Sequence, residues 1–209
     1  MKTLAILGAG GHGRVVADAA EASGQWDEIF FFDDSWPDRT CNGPWQIVGN
    51  TKQLENDAKH YGGIVIAIGI NRIRLRLSQE MEFKGGRLAV IVHPHATISR
   101  HAKVGKGSVV FAGAVVNIGA TVGHACIINT GATVDHDCQL ADGVHISPGA
   151  NLAGTVNVGT CAWIGAGAAV RQQIAIGADV VVGVGAAVVH DQPAGVTVVG
   201  NPAKVLRTS

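Results

Sequence analysis

Residues 135–137 set a histidine between two aspartates, Asp135-His136-Asp137, within the stretch TGATVDHDCQL. Such a trio supports three kinds of chemistry. Aspartates serve as turn residues, because a short carboxylate accepts from nearby backbone N–H groups. Imidazole and carboxylate are both metal ligands. One carboxylate can also hold the imidazole as a general base that titrates near neutral pH. Which applies depends on where each side chain points, and so on the element that carries it.

That element is written in a six-residue period. Stepping by six from Ile98 to Val188, all 16 residues are aliphatic and no insertion breaks the frame. The residues two before each are mostly Ala, Ser or Cys. Neither a helix nor a hairpin strand has this period; it is the hexapeptide repeat of a parallel β-helix. Three hexads close a triangular coil of about 18 residues, so about five coils stack into a prism roughly 25 Å long. The aliphatic position, i, and the small residue at i−2 point inward. Position i+1 holds Gly six times, Asn twice and Asp once. These types tolerate a left-handed backbone, so the frame predicts the corners there.

The frame then places the trio. Asp135 falls at i+1 and is expected as a corner residue. His136 and Asp137, at i+2 and i+3, are expected outside, which makes Asp137 the partner of the imidazole. Gly154 falls one coil above His136 and leaves open space and an accessible N–H. His145 faces another side of the prism, and Trp163 stacks one coil above it. An outward Trp over an outward His predicts a covered surface. The expected assembly is a closed homotrimer with three clefts, each lined by His136 of one chain and His145 of its neighbour.

Residues 1–92 have a different rhythm. Leu4–Leu7, Ile29–Phe32, Ile64–Ile68 and Leu88–Val92 read as short strands. Gly8 to Gly13 open a helix through Val15, Val16, Ala19 and Ala20 that stops at Gly24, and Asn71 is expected to cap a helix through Leu75, Leu77 and Met81. Strands alternating with helices predict a parallel, Rossmann-like sheet. The chain of 209 residues thus divides into a domain at 1–92 and a β-helix with its tail at 93–209.

Composition narrows the function. Lys plus Arg and Asp plus Glu are 16 each, a net charge of zero, which argues against an electrostatic grip on nucleic acid or an anionic membrane. With 29 Gly and 47% hydrophobic residues, the chain does not read as disordered. Cys41, Cys126, Cys138 and Cys161 form neither a CxxC pair nor a disulfide framework, and Cys138, at i−2, reads as a small buried thiol. The first apolar run is too short for a signal peptide and no segment reaches membrane-span length, so a reduced, cytoplasmic protein is expected.

GAGGHG at 8–13, FFDD at 31–34, AIG at 67–69, NTGATVDHD at 129–137, HISPGANLAG at 145–154 and GNPAK at 200–204 together resemble the PglD/NeuD-type bacterial sugar acetyltransferases. The resemblance covers nearly the whole chain. It implies a left-handed coil sense, a trimer with active sites between subunits, acetyl-CoA as co-substrate and no metal. It implies His136 as general base with Asp137 holding its imidazole, and the Gly154 N–H as donor to the oxyanion. His145, Gly154 and Ala166 would line the acetyl-CoA track. Gly10, Gly11 and His12 would form the substrate loop, with N–H groups facing phosphate at a helix start, while Asp33, Asp34, Gly69 and Arg72 would lie near the nucleotide. Taken alone, GxGxxG reads as a dinucleotide site, and a structural role for these glycines is the alternative. Ile70 and Arg72 depart from the family pattern, and Arg72, Arg74 and Arg76 also read as a solvated helix face.

The implied reaction is N-acetylation of a 4-amino-4,6-dideoxy sugar linked to a nucleotide, UDP by default. The alternatives are a GDP-linked amino sugar such as perosamine, O-acetylation of sialic acid or another sugar, and a scaffold that kept the β-helix without chemistry. The intact His136-Asp137 pair and Gly154 argue against the scaffold. Zinc held as in the γ-class carbonic anhydrases needs two histidines about five residues apart; no two of the nine histidines have that spacing.

Overall fold

A computed structural model describes residues 2–206; Met1 and Arg207–Ser209, the outer ends of the two expected domains, lie outside the described residues. The chain divides into two compact units, Met1–Pro94 and His95–Ser209. Among the described residues no helix is long and apolar enough to cross a membrane.

In the first unit, strand β1 (Thr3–Leu7) leads into helix α1 (Gly11–Ala22) and strand β2 (Glu28–Phe32). A hairpin of β3 (Cys41–Asn42) and β4 (Trp45–Gly49) precedes helix α2 (Thr51–Asp57), strand β5 (Gly63–Ile66) and helix α3 (Asn71–Phe83). The sheet order is β3-β4-β2-β1-β5, parallel except for β3, which is the Rossmann-like arrangement. β1 is apolar from Leu4 to Leu7 because both faces of a central parallel strand are covered; Leu4, Ala5 and Ile6 are fully buried. Leu7, Phe32, Leu54, Ile66, Leu77 and Met81 pack into one core.

Three features differ from the expectations. The β3–β4 hairpin and α2 carry local signals that the periodic reading passed over. Gly43, beside Asn42 at the hairpin turn, has φ +69°, and Asn50 with Gln53 forms a capping box at the start of α2. The expected strand over Leu88–Val92 is reduced to a parallel bridge from Leu88 to Ile64 and a two-residue strand at Ile91–Val92. Asn71 is not a cap: Ile70 takes that position, and Asn71 is the first, buried residue of α3.

The second unit is a left-handed parallel β-helix of two-residue strands running from Thr97–Ile98 to Ala187–Val188. Up to Ala169–Val170 each strand pairs in parallel with the one 18 residues on, as Val115 with Thr133 and Thr133 with Asn151. The interior is as the frame requires. Ala114, Ala132, Cys138 and Ala150 at i−2 and Val134, Ile146 and Ile164 at i are fully buried. Each buried aliphatic side chain contributes about 1.5–3 kcal/mol.

The corners are not at i+1, where they were expected. Positive φ falls at i+3, from Gly107 through Gly113, Gly119 and Ala125 on to Asp179 and Gly185. The i+1 glycines serve another need. A Cβ on Gly159 would press into the backbone of Gly177 and Ala178, and one on Gly105 into that of Gly123. Glycine stands at i+1 because adjacent coils touch there. Asp135 is therefore not the left-handed corner residue; Asp137 is, at φ +58°. An aspartate tolerates that conformation better than most side chains.

This contrast is measurable by chemical denaturation. Gly159→Ala, which overpacks two coils, is expected to cost about 1–3 kcal/mol. Gly185→Asn, at a corner where a Cβ meets nothing within 4 Å, is expected to stay within about 1 kcal/mol. Equal losses would contradict the assignment of i+1 as the contact position.

Candidate active site

His136 and Asp137 sit on the turn between the strands Thr133–Val134 and Gln139–Leu140. Their side chains are 53% and 64% exposed, and His136 Nδ1 lies 3.0 Å from Asp137 Oδ2. With the proton on Nδ1, the ring donates to the carboxylate and leaves Nε2 as the basic nitrogen. This hydrogen bond to Asp137 is the main reason the His136 pKa is raised above its ordinary 6.5, with the charges of Asp135 and Asp137 adding to it against a desolvation effect of opposite sign.

Asp135 works differently. Its Oδ1 accepts from Asn117 Nδ2, one coil earlier, at 2.8 Å and from the His136 N–H at 2.7 Å. These two bonds hold its carboxyl below the usual range. The carboxylate ties the turn to the neighbouring coil.

Two glycines make room for the dyad. A Cβ on Gly154 would collide with His136 Nε2, and a Cβ on Gly119 with Asp137 Oδ1. The Gly154 carbonyl accepts from Gln173 N–H at 3.0 Å, whereas its own N–H meets no acceptor among the described residues. The backbone ladder uses the N–H groups at i+1 and i+3, as at Asp135 and Asp137, and leaves the one at i+2 out. Gly154 thus offers an unspent donor beside the basic nitrogen. Gly119, one coil before Asp137, was missed from sequence although the coil period points to it.

His145 lies on another face, paired in register with Trp163. The two rings are stacked, 5.7 Å apart and within 5° of parallel. Asn129 Nδ2 is 3.1 Å from His145 Nε2, and Trp163 Nε1 donates to Ser147 Oγ at 2.6 Å. Trp163 remains 46% exposed. Ala166 is half-buried at a corner, its carbonyl accepting from Gly185 N–H at 2.9 Å. A groove of about 780 Å³ runs along Gln139, Asn157, Ala175 and Asp191, and another of about 430 Å³ past Asn117, Asp135 and Asn151; His136 and Asp137 line neither.

In the first unit, the glycines of GAGGHG separate into two kinds. Gly8, at φ +110°, would press a Cβ against Ala67 O, and Gly13 would drive one into Gly8 O and Phe31. Both are there for close packing. Gly10 and Gly11 have nothing within 4 Å of such an atom and are exposed. Asp33 accepts from Ala9 N–H at 2.7 Å and from the Ser35 hydroxyl at 2.6 Å. Desolvation raises its pKa, but the bonds from Ser35 and Ala9, with the nearby Arg39 charge, outweigh that and leave it lowered. Exposed Asp34 accepts from Thr51 N–H at 2.9 Å, at the start of α2.

Burial, with the Arg74 charge, pushes His12 down to about 4, so its imidazole is neutral near pH 7. Gly69 is open to its surroundings and Arg72 is exposed. Arg74 is not part of a solvated face. It is 1% exposed and donates to the carbonyls of Ile68 at 2.9 Å and Gly69 at 3.2 Å and to Asn71 Oδ1 at 2.8 Å. The helical period does mark it: Arg74 stands three, four and seven residues before the buried Leu77, Ser78 and Met81, whereas Arg72 and Arg76 lie on the opposite side of α3.

A β-helix with an outward His-carboxylate pair, an unspent backbone donor beside it and a Rossmann-like unit ahead of it defines a hexapeptide-repeat acyltransferase. Residues 3–81 match the family described as the PglD N-terminal domain. The chain is 30% identical over its full length, and over 98% of the relative, to GDP-perosamine N-acetyltransferase of Escherichia coli O157:H7. It is 37% identical over 117 residues, 54% of this chain, to UDP-N-acetylbacillosamine N-acetyltransferase of Bacillus subtilis (strain 168), where it spans about half of that enzyme's length, 52%. Among solved structures, the acetyltransferase domain of PglB from Neisseria gonorrhoeae FA1090, in complex with acetyl coenzyme A, superposes with a TM-score of 0.95 at 45% identity, covering 98% of this chain and 99% of that one. The chain belongs to this PglD-type family of bacterial sugar N-acetyltransferases.

Gly154→Ala tests the stacked geometry. The methyl must displace the His136 ring, so kcat is expected to fall at least about 100-fold while the melting temperature changes little. Normal kcat in the folded variant would contradict the placement of Gly154 over the imidazole.

Proposed function

We propose that the protein transfers the acetyl group of acetyl-CoA to the amine of a nucleotide-linked 4-amino-4,6-dideoxy sugar, with UDP as the nucleotide and His136 as the general base. The observation that carries this reading is the 3.0 Å contact between His136 Nδ1 and Asp137 Oδ2, with Gly154 against the opposite nitrogen, in a chain of this family. Asp137 holds the Nδ1–H tautomer. His136 Nε2 takes the proton as the amine nitrogen bonds to the thioester carbon. The Gly154 N–H donates to the oxygen that gains charge. As the carbon–sulfur bond breaks, His136 returns the proton to the leaving sulfur. His145 and Ala166 lie along the acetyl-CoA track.

The nucleotide belongs to the first unit, where Gly10, Gly11 and His12 face the diphosphate and Asp33, Asp34, Gly69 and Arg72 lie towards the nucleoside. A GDP-linked amino sugar is the second reading, favoured by the full-length similarity to the Escherichia coli GDP-perosamine enzyme. The position that separates them is the turn into α3, where Ile70 is 63% exposed. The chain assembles as a trimer, because the exposed Trp163–His145 stack is a surface that a neighbour would cover and His136 and His145 lie on different sides of one prism. A monomeric mass by light scattering would contradict the trimer.

Two measurements test the chemistry. His136→Ala is expected to lower kcat by about 10²–10⁴-fold with acetyl-CoA binding retained; full activity would refute the base. The base works when neutral and its pKa is raised, so kcat/KM should climb with pH through a limb above 6.5. Asp137→Asn removes the carboxylate that raises the pKa and should move that limb to lower pH on the same substrate; an unmoved limb would leave Asp137 a bystander. For the acceptor, CoA release is followed with UDP-, GDP- and dTDP-linked amino sugars and free sialic acid. Turnover of sialic acid alone would overturn the amine reading.

A further inference from the structure

We propose that Arg39 and Asn42 are positioning residues for the nucleotide diphosphate, acting through the backbone of the glycine loop. This rests on the reading that the loop takes a nucleotide-linked sugar. Asn42, at the end of β3, is fully buried. Its Oδ1 accepts from Arg39 Nη2 at 2.7 Å and from Arg14 Nη2 and Nε at 3.3 and 3.4 Å. Its Nδ2 donates to the Gly10 carbonyl at 3.2 Å. Arg39 Nη1 donates to the Ala9 carbonyl at 2.7 Å, and its Nε to the Cys41 carbonyl at 3.0 Å.

The consequence follows from peptide geometry. In a planar trans peptide the C=O and N–H point in opposite directions. Holding the Ala9 carbonyl inward therefore turns the Gly10 N–H outward, and holding the Gly10 carbonyl turns the Gly11 N–H outward. Neither N–H donates to a protein group among the described residues, and both glycines face open space. The Gly10 carbonyl also takes the first helical bond, from Arg14 N–H at 3.1 Å. The Ala9 carbonyl is held by Arg39, and the Ala9 N–H by Asp33. Successive peptides are thus fixed from the segment 33–42, and Arg14 and Arg39 add positive charge behind donors aimed at an anion. Without that hold the glycines, which carry no side-chain restraint, sample many orientations. Affinity for a diphosphate depends on having them pre-set.

Calorimetric titration of the full chain with UDP and with GDP, beside KM for acetyl-CoA and the melting temperature, tests this. Arg39→Ala is expected to weaken binding of the nucleotide by about tenfold or more, the scale of a lost hydrogen bond to a charged group, with acetyl-CoA KM unchanged. Arg39→Lys, which keeps the charge but not the fork, should fall between. Asn42→Asp keeps the shape and the acceptor for both arginines but loses the donor to Gly10, and should also weaken the nucleotide selectively. Folded variants that bind the nucleotide as the wild type does would overturn the positioning role alone. A parallel loss of melting temperature and of both substrates would show a merely structural role and overturn it as well. A wild-type protein that binds neither nucleotide would remove the underlying reading and the inference together.

Discussion

Successive coils of the β-helix lie one strand spacing apart, about 4.8 Å, and every outward group must live within that distance of another backbone. The i+1 glycines answer this constraint directly, since a Cβ at Gly105, Gly159 or Gly177 would press into the next coil. The His136–Asp137 pair has to satisfy the same constraint with two large polar side chains. It does so by borrowing space from the coils on either side, Gly119 against Asp137 and Gly154 against His136. The glycine above the imidazole also leaves a backbone donor unspent. A glycine there has no side chain to shield its N–H, and the ladder does not consume it.

The two aspartates around His136 divide the work by position. Asp135 spends its carboxylate on Asn117 and on the backbone of His136, which fixes the turn. Asp137 occupies the left-handed corner, and that conformation carries its carboxylate round to Nδ1. A residue confined to the right-handed region would not send its side chain the same way, so the strained corner and the dyad are one feature. In the first unit the backbone is likewise preset by side chains, with Arg39, Asn42 and Asp33 on one loop and Arg74 on the carbonyls of Ile68 and Gly69.

Much of this was legible in sequence, because a repeat turns spacing into position. The aliphatic frame placed Gly154 over His136 and Trp163 over His145, and both juxtapositions are present. The corner assignment failed for a physical reason. Glycine is used both where the backbone turns left-handed and where two backbones approach, so its presence at i+1 is not by itself a corner signal. Glycine stands six times at i+1 but eight times at i+3, with Asp137, Asp179 and Asp191 beside it, so the corner signal is the stronger at i+3 even though Ala125, Thr155, Cys161 and Gln173 interrupt it. The first unit is less legible. Its parallel core is written in apolar runs, whereas the Cys41–Asn42 hairpin is marked only by its turn at Gly43, and the buried Arg74 spends its charge on nearby carbonyls of the turn into α3. The family resemblance named Gly10 and Gly11; only the structure shows that their neighbours Gly8 and Gly13 are spent on packing.

The central claim is that Asp137 fixes the His136 imidazole with its proton on Nδ1 and its basic nitrogen towards Gly154. Nitrogen-15 NMR of the histidine-labelled protein, titrated through neutral pH, reads both the tautomer and the pKa at this one ring. A neutral form protonated at Nδ1, titrating above 6.5, is the expected result. A neutral form protonated at Nε2, or a midpoint at or below 6.5, would contradict it.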